Sequence, residues 1–185
     1  MTAITERSYT TMDKSSWGAG RWQDEPDKIQ FVDEATGLDC LIVRSHLGAL
    51  CGYVGVAEGH PLFGVEYGDG PDDQLDVHGG ITYSDACQVG PEAESVCHIP
   101  APGQPDHLWW FGFDCAHLGD LCPAHQRRRD PIVVARGIAL GEAAPPAEMF
   151  VDRYRDVDYV RAQCASLARQ LADLAAPQLP APEAV

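Results

Sequence analysis

Asp114, His117 and Asp120 stand three residues apart after an aromatic run, and Asp76 and His78 stand two apart in a second apolar segment. Carboxylate oxygens combined with imidazole nitrogens are the donor set of zinc, manganese, iron and magnesium sites. Without a metal, the same groups serve general acid–base chemistry, a carboxylate tuning its neighbouring histidine. The two segments are Asp76-Val77-His78-Gly79-Gly80-Ile81-Thr82-Tyr83 and Trp109-Trp110-Phe111-Gly112-Phe113-Asp114-Cys115-Ala116-His117-Leu118-Gly119-Asp120. Each reads as a strand-like run that delivers polar side chains into a glycine-bearing turn, as where a rigid sheet presents groups to a pocket.

If these segments are neighbouring strands that end on one edge, His78, Asp114, His117 and Asp120 converge as ligands of a divalent metal, zinc or manganese. Asp76 then orients His78 from behind, and the catalytic set is Asp76, His78, Asp114 and His117. The structural alternative has Asp114 and Asp120 capping turns through their own backbone, with His78 and His117 as core or edge histidines. Four further residues are candidates for substrate binding. His60 follows a glycine in Glu58-Gly59-His60-Pro61, Tyr83 closes the first segment, and Arg127 and Arg128 belong to the basic cluster Arg127-Arg128-Arg129, which could hold a phosphate.

Other chemistries find less support. Cys115 alternates away from Asp114 toward the core and has no basic neighbour in sequence to activate it as a nucleophile. No Cys-x-x-Cys pair occurs, and the Cys87 to Cys97 and Cys115 to Cys122 spacings match no recognised zinc-ligand pattern, which argues against a structural zinc. Phosphate-cradling and dinucleotide-binding glycine motifs are absent.

The elements that must position these groups follow from hydrophobic periodicity and turn residues. Lys28 to Val32 and Asp39 to Arg44 read as a hairpin around Asp33-Glu34-Ala35-Thr36-Gly37, and Leu50 to Val56 as a third strand. The glycines of that third strand, Gly52 and Gly55, imply a bulge or close approach by a neighbour. Residues 57–74 form a long loop expected to overhang the site. Leu75 to Tyr83 is expected as a fourth strand, Leu108 to Phe113 as a fifth, and Ile132 to Ala135 as a sixth. Asp156 is a helix N-cap, and Val157, Val160, Cys164, Leu167, Leu171 and Leu174 form one apolar stripe behind it. Trp17 and Trp22 are expected to clamp an N-terminal arm onto the body.

The chain of 185 residues, 45% of them hydrophobic, is long enough for one core without metal or disulfide staples. The expectation is a single α+β domain over 28–175, a mostly antiparallel sheet with the C-terminal helix across one face, an N-terminal arm at 1–27 and a Pro/Ala-rich tail at 176–185. A net charge of −15 with only 13 Lys and Arg excludes general nucleic-acid binding. Acids scattered through loops also fit phosphate mimicry poorly. Seven cysteines at irregular positions, a polar start and no bilayer-length apolar run point to a soluble, cytoplasmic protein with no membrane partner.

Several words of the chain resemble an uncharacterised family encoded by actinobacterial phages and by bacterial genomes as prophage or accessory genes. They are Cys51-Gly52-Tyr53-Val54-Gly55-Val56, Gly59-His60-Pro61, Val77-His78-Gly79-Gly80-Ile81-Thr82-Tyr83, Trp110 to His117 with Gly119-Asp120, and Tyr154-Arg155-Asp156-x-x-Tyr159-Val160. The resemblance spans roughly residues 17–175; it implies a phage–host setting and no particular activity, cofactor or catalytic residue. From the residues, the leading expectation is a metal-dependent hydrolase of a phosphate-containing or nucleotide-like small molecule. The alternative is a non-catalytic protein that sequesters a host protein or a signalling ligand in the same groove.

Overall fold

Short runs rich in β-branched and aromatic residues, separated by turn formers, pair as antiparallel strands because neighbouring runs can satisfy each other's backbone groups. The computed structural model describes residues 6–88, 90–125 and 152–176. Among them six strands form one sheet: β1 (Arg7–Tyr9), β2 (Lys28–Val32), β3 (Asp39–Arg44), β4 (Leu50–Ala57), β5 (Tyr83–Ala86) and β6 (Leu108–Asp114). Their order is β1-β2-β3-β4-β6-β5, and every pairing is antiparallel. One helix, α1 (Val157–Ala175), packs across β4 and β3, so the fold is the expected α+β arrangement.

Asp156 caps α1, its carboxylate accepting from the Tyr159 amide at 2.9 Å. Val160, Cys164, Leu167 and Leu171 on the inner stripe are fully buried, whereas Leu174 is 40% exposed, so the stripe runs off the sheet one turn before the helix ends. Gly52 is where the helix lands. A Cβ there would lie 2.4 Å from the Phe113 ring and 2.7 Å from Cys164 Sγ, and the β4–β6 register runs through it without a bulge. No helix among the described residues is long and apolar enough to cross a membrane.

Three expectations change. Leu75 to Tyr83 is not a strand, although Val77 and Ile81 are buried as the alternation requires. Its backbone is satisfied by the helix instead of a sheet neighbour. Gln170 accepts from the Asp76 amide at 2.7 Å and donates to the Asp76 carbonyl at 2.9 Å, while Gln163 accepts from the His78 amide at 2.8 Å. The segment is a strap along α1 that joins the sheet only from Thr82 and Tyr83 onward. Second, the arm supplies a strand, β1, to the sheet, while Trp17 and Trp22 are buried as the expected clamp requires, Trp22 meeting Tyr154 edge-on at 5.1 Å. Third, Cys87 and Cys97 form a disulfide, because the Gln88 amide bonds to the Val96 carbonyl and folds the intervening loop back on itself. The strand expected at Ile132 to Ala135 and the tail from Pro177 onward lie outside the described residues.

A buried ionic network ties the arm to the helix. The Arg44 guanidinium donates to Asp27 at 2.9 Å, to Glu25 at 3.2 Å and to the Tyr154 hydroxyl at 2.7 Å. Lys14 pairs with Asp27 at 2.7 Å, so two cations face two carboxylates. Burial pushes the Asp27 carboxyl up, but hydrogen bonds from Lys14 and from the Met12 and Thr11 amides outweigh it and hold it below the ordinary carboxylate value. Tyr154, which donates to Glu25, thereby holds the residues just before α1 in place.

Candidate functional site

The turn after β6 and the strap along α1 meet at the first turns of the helix. Beyond Asp114 the chain turns through Gly119, and a short parallel bridge fixes Asp120 beside Arg153: the Arg153 amide bonds to Gly119 and the Leu121 amide to Arg153. The strap reverses at Val77 to Gly80, where the Gly80 amide bonds to the Val77 carbonyl. Gly79, at φ +71°, takes a left-handed conformation there. His78 and His117 are thereby brought together, their rings 5.5 Å apart and tilted by 70°.

Asp120 is the centre of the cluster. Its Oδ2 accepts from His78 Nε2 at 2.7 Å and from the His117 amide at 3.1 Å, and its Oδ1 accepts from Arg155 Nε at 2.9 Å. Burial alone would raise this carboxyl, but the hydrogen bonds from Arg155 and His78 prevail and lower it, so Asp120 is a carboxylate. A carboxylate only accepts, so His78 carries its proton on Nε2. In the neutral ring, Nδ1 then accepts from the Tyr159 hydroxyl 3.0 Å away. Arg155 also lies over the Tyr159 ring at 4.6 Å.

His117 Nδ1 sits 3.8 Å from both Asp114 Oδ1 and Asp120 Oδ2, too far for a hydrogen bond, and it is buried without a partner. Ligand atoms of His78, His117 and Asp120 lie within 4.8 Å of one another. Two imidazoles and a carboxylate are a donor set that suits zinc, leaving a fourth position for water.

The remaining candidates divide. Asp114 borders the cluster but is not part of that trio, and its Oδ1 accepts from the Ala116 amide at 2.9 Å in a local turn. Asp76 is exposed and does not orient His78, whose two ring nitrogens are taken by Asp120 and Tyr159. His60 has both ring nitrogens engaged by backbone groups. Its Nδ1 accepts from the Leu62 amide at 3.1 Å and its Nε2 donates to the Leu171 carbonyl at 2.9 Å, so the long loop is pinned to the later turns of α1 and not to the turns that carry the site. Tyr83 packs edge-on against Tyr53 at 5.3 Å in the apolar cluster of Leu41 and Trp110, separate from the core that the helix covers. Arg127 and Arg128 lie outside the described residues. Cys115 is buried, and burial pushes its thiol well up, the wrong direction for a nucleophile.

Sequence reasoning missed Arg155, Tyr159 and Gln163 as site-forming residues. The available signal was the cap: once Asp156 starts a helix, Tyr159 and Gln163 lie one turn apart on the face beside the apolar stripe. No family model matches the chain, and no curated protein or solved structure matches it either.

Proposed function

We propose that His78, His117 and Asp120 hold one divalent metal ion, zinc or manganese, and that the protein is a metal-dependent hydrolase of a small molecule. The observation that supports this reading is the convergence of three ligand atoms within 4.8 Å from two separate segments, with one buried imidazole nitrogen left unpartnered among them. A divalent ion in this position would supply Lewis acidity and lower the pKa of a water in the open position. The chain's own residues are arranged to support it. Arg155 fixes Asp120 through the carboxylate oxygen that does not face the histidines. The Tyr159 hydroxyl can turn from donor to acceptor, so that His78 carries its proton on Nδ1 and offers Nε2 as a ligand. Preference for a phosphate-bearing or nucleotide-like substrate rests on the basic cluster at Arg127 and Arg128.

A second reading, capture of a host macromolecule without catalysis, draws on Leu118. This residue is 90% exposed at the tip of the same turn, beside His117. Metal analysis distinguishes the two. After dialysis against zinc or manganese and then metal-free buffer, the wild type with its Cys87–Cys97 disulfide intact is expected to retain one equivalent and His117→Ala none, with thermal unfolding of the metal-free proteins unchanged. Retention weakens on acidification, since ligation needs neutral imidazoles. A wild type that holds no metal sinks the metal reading, and unfolding of His117→Ala makes the histidine structural.

A further inference from the structure

The connection between β5 and β6 carries a second group of soft ligands. Cys87, Cys97 and His98 have their ligand atoms within 4.8 Å of one another, and His98 is 5% exposed. Its Nε2 lies 3.2 Å from the Pro105 carbonyl, which only accepts, so Nε2 carries the proton and Nδ1 keeps a bare lone pair. That Nδ1 is buried and has no hydrogen-bond partner. An imidazole tied to a carbonyl through one N–H and offering its other nitrogen is how metal-ligating histidines are held.

Contacts other than the sulfur–sulfur bond fix this geometry. The buried Lys28 ammonium donates to the Glu92 carbonyl and, at 2.8 Å, to the Cys97 carbonyl. Gln30 grips Ile99 from both sides, donating to its carbonyl at 2.8 Å and accepting from its amide at 2.9 Å. The Trp110 ring meets His98 edge-on at 5.5 Å. Cleaving the disulfide therefore leaves the two sulfurs and Nδ1 close together.

We propose that Cys87, Cys97 and His98 form a second metal site, a thiolate–imidazole zinc centre that is open when the Cys87–Cys97 disulfide is reduced and closed when it forms. In the loading direction a dithiol reductant gives two electrons and two protons to the disulfide, becoming a disulfide itself and leaving two protein thiols. Zinc then displaces both thiol protons and bonds to two sulfurs and Nδ1, which needs the sulfurs to separate to about 3.8 Å around the ion. Water completes the tetrahedron. In the reverse direction hydrogen peroxide takes two electrons from the two thiolates and, with two protons, becomes two waters; the disulfide re-forms and zinc leaves.

Cobalt absorption tests this on the full chain, because thiolate-to-cobalt charge transfer cannot arise from His78, His117 and Asp120. Phosphine-reduced wild type, titrated anaerobically with cobalt, is expected to develop a band whose final intensity corresponds to one thiolate-bound cobalt per chain, to lose it when excess zinc is added, and to lose it on oxidation by peroxide. Disulfide-bonded wild type shows none. Cys97→Ser and His98→Ala should weaken cobalt binding at this centre at least tenfold, and His117→Ala should leave the band unchanged, which separates this result from the fate of the first site. Reduced wild type without the band, a band that survives Cys97→Ser, or loss of far-ultraviolet circular dichroism on reduction overturns the proposal.

Discussion

Replacing Gly79 by alanine probes the cluster through a residue that carries no functional group. A Cβ on Gly79 would lie 2.1 Å from His117 Cε1 and 2.4 Å from its Nε2. Non-bonded carbons sit at about 3.6 Å, so the ring must retreat by about 1.5 Å. Metal–ligand distances tolerate only about 0.2 Å, so this displacement removes His117 from the trio. Gly80 is the matched control. At φ +85° it is as strained for alanine as Gly79 at φ +71°, yet a Cβ there meets nothing within 4 Å. Both variants should lose about 1–2 kcal/mol to the left-handed backbone. The His117 side chain is 36% exposed and can swing outward, so Gly79→Ala adds little to that cost. Urea unfolding should thus place the two variants together. A zinc-competition titration should separate them, Gly80→Ala binding like wild type and Gly79→Ala as weakly as His117→Ala, at least tenfold down. The His117 imidazole proton resonances should shift in Gly79→Ala more than in Gly80→Ala, a readout that does not require metal. Indistinguishable zinc affinities together with unshifted resonances would refute the reasoning.

Two further expectations concern stability. Leu167, fully buried between α1 and the sheet, should cost about 2–5 kcal/mol when cut to alanine, whereas Leu174→Ala, 40% exposed, should cost far less; equal urea midpoints for the two variants would show that the stripe does not pack as described. Asp27 has its folded-state carboxyl held below the unfolded value, so its contribution is complete above about pH 4 and is lost as pH falls through the folded value. Asp27→Asn should therefore be less stable than wild type at neutral pH but show a flatter decline in acid, and parallel acid limbs in urea titrations from pH 7 to pH 2 would count against that assignment.

By itself, the sequence determined what is written in local pattern. Lys28–Val32 and Asp39–Arg44 are strands with the ends that their β-branched runs and turn residues mark, and Asp156 starts a helix whose inner stripe is Val160, Cys164, Leu167 and Leu171. Periodicity and capping depend on residues a few positions apart, so one chain read in order reveals them. What the tertiary structure alone decided depends on partners distant in sequence. Leu75 to Tyr83 has the alternation of a strand, but its amides are met by Gln163 and Gln170, more than 80 residues later, and the segment becomes a strap. The same packing puts Tyr159 and Arg155 around His78 and Asp120, turns Asp76 out to solvent and commits His60 to the helix backbone. The sheet order, with β6 between β4 and β5, is likewise invisible in the pattern, because alternation specifies which face of a strand is apolar and not which neighbour its backbone will bond. Cys87 and Cys97 meet because the loop between them folds back, a closure that spacing alone does not encode.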